Sequence, residues 1–325
     1  MKGKDTYGAH LFRLLKWVIG LLFCWYLYRV LQAEGKPWPV GGMAPFITRS
    51  NSMLLLLVIV LFPLNLIIEW LKWQLLLKER VSWWWGMRTI STGMMAGLVS
   101  LNGLGDFAGR VMYLPVHKRI RGSWAAIASG LINFWAVILV TLPIFPFLMV
   151  KKGLLPAGNA SLLFKICAWL GVFLLLLLYT RAKHLPLIFS KVKILKGWKA
   201  SFEGLGNYSR SVMGSVLALA VLRFLIFNTQ LNILWHVFGL QLGFLEGLGW
   251  SMGLYGILAL VPTVLITDLG VRGGVALWLL SDFATYSWQI LLPTYLLWLL
   301  NVILPSLFGW LSMWFLKKLP ADTAD

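Results

Sequence analysis

Ser100-Leu-Asn-Gly-Leu-Gly-Asp-Phe-Ala-Gly-Arg-Val-Met-Tyr113 is a glycine-rich, charged interruption in a chain that is otherwise close to lipid in character. Gly103, Gly105 and Gly109 surround Asp106 and Arg110, an acid and a base four residues apart. Residues 263–274 repeat the pattern as Asp268-Leu-Gly-Val-Arg272. An unpaired charge in hydrocarbon is costly, so an acid–base pair used twice in an apolar chain points to a purpose. The remaining sequence reads as scaffold that holds these two stretches near each other.

Composition supplies the setting. Hydrophobic residues make up 59% of the 325 and charged residues 12%, with mean hydropathy +0.80. Soluble domains carry about 25% charged residues, so the chain belongs in a membrane. Its apolar runs are long and do not alternate, which selects helices over an outer-membrane barrel. The fold class is therefore all-α: a polytopic helical membrane protein forming one transmembrane domain over residues 1–325. The net charge of +18 reflects loop residues that set orientation and meet anionic lipid heads, and no nucleic-acid-binding module is recognisable. Cys24 and Cys167 lie in apolar runs, without disulfide or metal spacing. Gly103-x-Gly105-x-x-x-Gly109 misses the dinucleotide spacing by one residue. No cofactor, metal or catalytic set is expected.

Taken in order, a basic arm leads into an apolar run over residues 17–31, read as a retained first helix. A second span covers residues 52–77 and carries Asn65, Glu69 and Lys72. Glu69 and Lys72 share a helix face, either as a buried pair or as a pair snorkelling to the surface. Residues 88–104 are apolar but short, and run into the central motif and then Lys118, Arg119 and Arg121. A hairpin that enters and leaves on the cytoplasmic side suits that charge. Spans follow at 122–150, 161–179 and 211–237, the last containing Arg223, with a strongly basic cytoplasmic loop over 181–210. The stretch 238–264, the second motif and the run 275–280 read as a hairpin from the opposite side, and 288–316 is the last span.

Basic residues put both termini in the cytoplasm. The two re-entrant hairpins then enter from opposite faces, as in an inverted repeat with halves at about residues 1–150 and 151–325. At each, glycine frees backbone N–H groups and the arginine emerges near a helix start, an arrangement that suits an anionic headgroup. Asp106, Arg110, Asp268 and Arg272 are the first candidates for substrate binding, with Asn102, Glu69 and Arg223 beside them. The alternative is that each aspartate only neutralises its own arginine. Asn65, Asn102, Asn133 and Asn301 also suit a role as polar glue between helices.

The stretch Asn102-Gly-Leu-Gly-Asp-Phe-Ala-Gly-Arg110, with Asp268-Leu-Gly-Val-Arg272 late in the chain, resembles the two signatures of the flippase-like transmembrane family. This is the transmembrane region of lysylphosphatidylglycerol synthase, found also in stand-alone proteins. Gly105, Asp106 and Arg110 match the first signature. The second is matched in part, since Asp268 replaces its first glycine and Gly273 its acidic residue. The resemblance implies translocation of a polar-headed lipid by a stand-alone member, since no synthase domain follows before Asp325.

The expectation is an inner-membrane lipid translocase handling a phospholipid or polyprenyl-linked headgroup, with anionic or zwitterionic membrane lipids as partners. A partner protein or a homo-oligomer is compatible with the sequence. The rivals are a membrane enzyme acting on a lipid phosphate and a non-transporting scaffold.

Overall fold

The computed structural model describes residues 48–100, 105–156, 158–180, 208–261, 263 and 265–314, with residues 18, 25, 28, 29 and 32 of the first apolar run. Among the described residues every regular element is helical. Four segments are long and apolar enough to cross a bilayer: Asn51–Leu77, Val116–Thr141, Arg210–Val237 and Trp288–Trp314. By length and composition this is a helical membrane protein. The basic loop 181–210 lies outside the described residues for all but its last three positions.

Helix α1 (Arg49–Leu77) starts on Thr48, whose hydroxyl accepts from the Asn51 N–H at 3.2 Å. It ends on Lys78, which takes the left-handed conformation at φ 54°. Pro63 within it has no N–H for the Ile59 carbonyl, which loosens that turn. Helix α2 (Trp83–Val99) and the short α3 (Gly105–Val111) then pack against each other. The run expected as one span over 122–150 is divided into α4 (Arg119–Thr141) and α5 (Phe145–Lys151). Proline is the reason. Pro143 denies a bond to the Leu139 carbonyl, and Pro146 sits in the first turn of α5, where its missing N–H costs nothing. Helix α6 (Asn159–Thr180) contacts α5 and turns Leu162, Leu163, Trp169 and Phe173 outward, as a lipid-facing helix does.

Helix α7 (Arg210–Val237) is the hub, touching α1, α4, α8 (Phe244–Leu260) and α10 (Trp288–Trp298). Helix α9 (Leu265–Leu280) packs on α8 and α10. A π-helical turn at Leu299–Ile303 joins α10 to α11 (Leu304–Trp314). Pro305 lies four residues after Asn301 and offers no N–H to its carbonyl, which accounts for the widened turn.

Two apolar cores flank the shared helices α1 and α7. Trp73, Leu76, Met87, Ile90, Ile132 and Val216 pack beside α2 and α3. Leu231, Trp235, Trp250, Leu254, Val275 and Leu279 pack around α8 and α9. Polar contacts then close the two ends of the bundle. At one end Lys118 lies 3.2 Å and Arg121 3.5 Å from Glu79, and Trp70 donates to the Val81 carbonyl at 3.1 Å. There Tyr208 donates to the Leu76 carbonyl at 3.0 Å, and burial pushes its phenol above the ordinary value. At the other end Lys151 pairs with Glu246, and Lys152 lies 2.5 Å from Asp282.

Gly109 and Gly309 permit close helix contacts with α2. A side chain at Gly109 would meet the Thr92 carbonyl oxygen at 2.5 Å, and one at Gly309 would meet the Ser91 carbonyl oxygen at 2.2 Å. Both obstacles are backbone of α2, which cannot swing aside. Gly309→Val is therefore expected to lower stability by about 1–3 kcal/mol or to prevent folding. Gly214→Ala, at a position with open space around it, is the control. Thermal unfolding in detergent reads both.

Candidate functional site

Six helices and the π-turn line an open cavity of about 520 Å3. Its floor and walls are mostly apolar (Met94, Leu98, Val137, Phe224, Phe227, Leu258), and its charged residues are Asp106, Arg110, Arg223, Asp268 and Arg272. Both sequence motifs therefore face the same space. Glu69 stands one layer behind the wall, and Asn102 lies outside the described residues.

The first motif is tied into α1. Asp106 occupies the first turn of α3 and Arg110 the last, so one helical turn brings them together. Arg110 Nε donates to both Asp106 carboxylate oxygens, at 2.9 and 3.0 Å. Its Nη1 donates to Glu69 Oε1 at 2.8 Å, and the guanidinium lies 5.4 Å from the Trp73 ring centroid. Glu69 and Lys72 are both 0% exposed, which rules out snorkelling. Lys72 Nζ donates to Glu69 Oε2 at 2.9 Å and to Asn133 Oδ1, a cavity-lining group. Ser129 donates to Glu69 Oε1 at 3.3 Å. Arg223 approaches the same carboxylate with Nη1 at 3.5 Å, outside hydrogen-bond contact, while its Nε has no hydrogen-bond partner. One carboxylate thus faces three cations.

The second motif is simpler. Asp268 is in the first turn of α9 and accepts from Arg272 Nη2 at 2.8 Å and Nε at 3.3 Å. Thr263 donates to its other oxygen at 3.4 Å, and the Arg272 guanidinium lies 5.8 Å from the Tyr255 ring centroid. The side chains of Asp268 and Arg272 are 18% and 11% exposed.

A chain of amides braces the wall between the two motifs. Asn65 donates to Asn301 at 3.0 Å, Asn301 to Gln230 at 3.2 Å, and Gln230 to the Val58 carbonyl at 2.9 Å. The glue role expected of Asn65 and Asn301 is this contact. Asn301→Leu strands the Asn65 amide and the Gln230 carbonyl, and is expected to cost about 1–2 kcal/mol, the upper range for interhelical polar contacts in membranes. A double-mutant cycle with Gln230→Leu measures it. Ser129, Trp73 and Tyr255 were not evident as site residues. Only helical phase relative to Glu69 and the arginines marks them, and that phase needs the packing of α1, α4 and α8.

A second cavity, of about 560 Å3, lies beyond the α4–α8 contact and is lined by α4, α5, α6 and α8. Thr141 and Cys167 are the polar members of an otherwise apolar lining. The end of α8 divides the two spaces: Tyr255, Leu258 and Ala259 face the charged one, Gly256 and Leu260 the apolar one. Among the described residues no three His, Cys, Asp or Glu side chains gather as a metal group.

The chain matches no family model, no curated protein and no solved structure.

Proposed function

We propose that the protein is a lipid translocase, in which the charged cavity holds a polar headgroup while the chains stay in apolar surroundings. The observation that carries this reading is the convergence of Asp106–Arg110 and Asp268–Arg272 on one cavity inside an apolar bundle. Charged residues within a membrane domain characteristically mark a substrate pathway, and a closed apolar bundle has no structural need of two such pairs. The resemblance of both motifs to the flippase-like transmembrane family points the same way.

In this reading α2–α3 and α8–α9 are re-entrant hairpins from opposite membrane faces, the cores of two halves of an inverted repeat. Support comes from the end contacts: α2 and α3 open toward the Glu79–Lys118 end, α8 and α9 toward the Lys151–Glu246 and Lys152–Asp282 end. Lys78, Arg80, Lys118, Arg119, Arg121 and Arg210 gather at the first end, and in this reading that basic end faces the cytoplasm of an inner membrane. Headgroups are the cargo because the cavity walls are apolar outside the charged groups, as a site for an amphiphile requires. The test is loss of dithionite-accessible asymmetry of fluorescent lipids in proteoliposomes. Wild-type protein is expected to equilibrate the leaflets, and a rate equal to that of empty vesicles would overturn the reading.

A further inference from the structure

The charges around the first cavity do not cancel. Among the described residues, three acids (Glu69, Asp106, Asp268) face four bases (Lys72, Arg110, Arg223, Arg272) in the interior of the bundle. Arg88 and Arg210, on the neighbouring helices α2 and α7, are exposed and are not part of this interior set. One positive charge is therefore left over in a low-dielectric interior, where an uncompensated ion is expensive.

Its location follows from the pairings. Arg272 is held by Asp268 through two bonds, and Arg110 by Asp106 and Glu69 through three. Lys72 donates hydrogen bonds to Glu69 and Asn133. Arg223 alone of the four makes no hydrogen bond to an acid: its nearest carboxylate oxygen is 3.5 Å away and already bonded to Lys72, and its buried Nε has no partner. A quarter of its side chain is exposed, and it lines the cavity. The guanidinium is thus a fork with unused donors, pointing into a space where only one more negative charge is needed.

We propose that the cavity is matched to a single negative charge, and that Arg223 is the residue that selects a phosphodiester monoanion over zwitterionic and dianionic headgroups. The inference rests on the translocase reading for the role of the site, and it is decided by binding rather than by transport. A guanidinium forks a phosphodiester through two parallel N–H bonds. A zwitterionic head brings a cation that finds no free acid, since all three carboxylates are engaged. A dianion brings one charge more than the cavity can neutralise.

The experiment is native mass spectrometry of the full chain in detergent, with phosphatidylglycerol, phosphatidylcholine and cardiolipin added in equal amounts. Wild type is expected to retain phosphatidylglycerol about tenfold over either competitor, the equivalent of one charge-assisted contact. Arg223→Gln is expected to bring phosphatidylglycerol and phosphatidylcholine to parity, and Arg223→Lys to keep most of the preference, which separates lost charge from lost fold. Asp268→Asn adds a second surplus charge and is expected to move the preference to cardiolipin. Dimethyl phosphate, the same monoanion without chains, identifies the source of recognition. Displacement of phosphatidylglycerol assigns recognition to the phosphodiester alone, and failure to displace assigns it to the lipid as a whole. Equal retention of the three lipids by wild type, or an Arg223→Gln profile identical to wild type, would overturn the proposal. Leaflet exchange by the same preparations is scored separately: a selective binder that does not exchange lipid removes the translocase reading and leaves the charge match standing.

Discussion

Glu69→Gln is expected to be the most damaging single charge substitution in the bundle, lowering stability by about 3–5 kcal/mol. The glutamine keeps the shape and removes the one acid that, among the described residues, Lys72, Arg110 and Arg223 share. Lys72 is 0% exposed. Among the described residues the three cations would then be left with Asp106, which pairs with Arg110 and with neither of the others. An unpaired buried charge, rather than a missing hydrogen bond, sets the size of the effect. Adding Lys72→Met removes one stranded cation and is expected to recover part of the loss. Glu79→Gln provides the contrast. Its partners Lys118 and Arg121 are 31% and 47% exposed, and pairs of that kind are worth about 0–1 kcal/mol. Detergent thermal unfolding ranks the variants, and a Glu69→Gln protein as stable as Glu79→Gln would show that the buried cluster does not hold the fold.

Arg272→Gln is expected to slow leaflet exchange by about 10–100-fold while the protein still inserts and folds. Insertion survives because α9 is held by Val271, Val275 and Leu279, all buried, and not by its charge. Exchange fails because one of the three arginines that line the cavity is gone. The double variant Arg272→Gln/Asp268→Asn separates headgroup contact from a mere lock between the two residues. If the pair only neutralises itself, removing both charges restores exchange. If Arg272 touches the headgroup, the double variant stays slow, which is the expected result.

The sequence displayed the charged elements of the site because a bilayer makes polar residues conspicuous. Asp106–Arg110 and Asp268–Arg272 stand out by spacing alone, and Glu69, Lys72 and Arg223 by their position within apolar runs. Helical period also indicated that Glu69 and Lys72 meet, but not whether they meet water, since that depends on α4 covering them through Ser129 and Asn133. The break at Pro143 and the π-turn before Pro305 had visible prolines, yet an apolar run with proline reads equally well as one bent span. The partition of Glu69 among three cations was hidden for a different reason. It is set by distances between α1, α3 and α7, which are far apart in sequence and carry no local pattern that fixes how closely they pack.

The convergence of the two motifs on one interior space is tested most directly by cross-linking across it. Leu98 on α2 and Ala259 on α8 both line the cavity. In a Cys24→Ser/Cys167→Ser background, Leu98→Cys and Ala259→Cys are expected to be joined by a short bis-maleimide in intact membranes, and the joined protein to stop exchanging lipid. Efficient labelling of each cysteine by separate reagents from opposite sides, with no joined product, would place the motifs in two unconnected spaces and contradict a shared headgroup chamber.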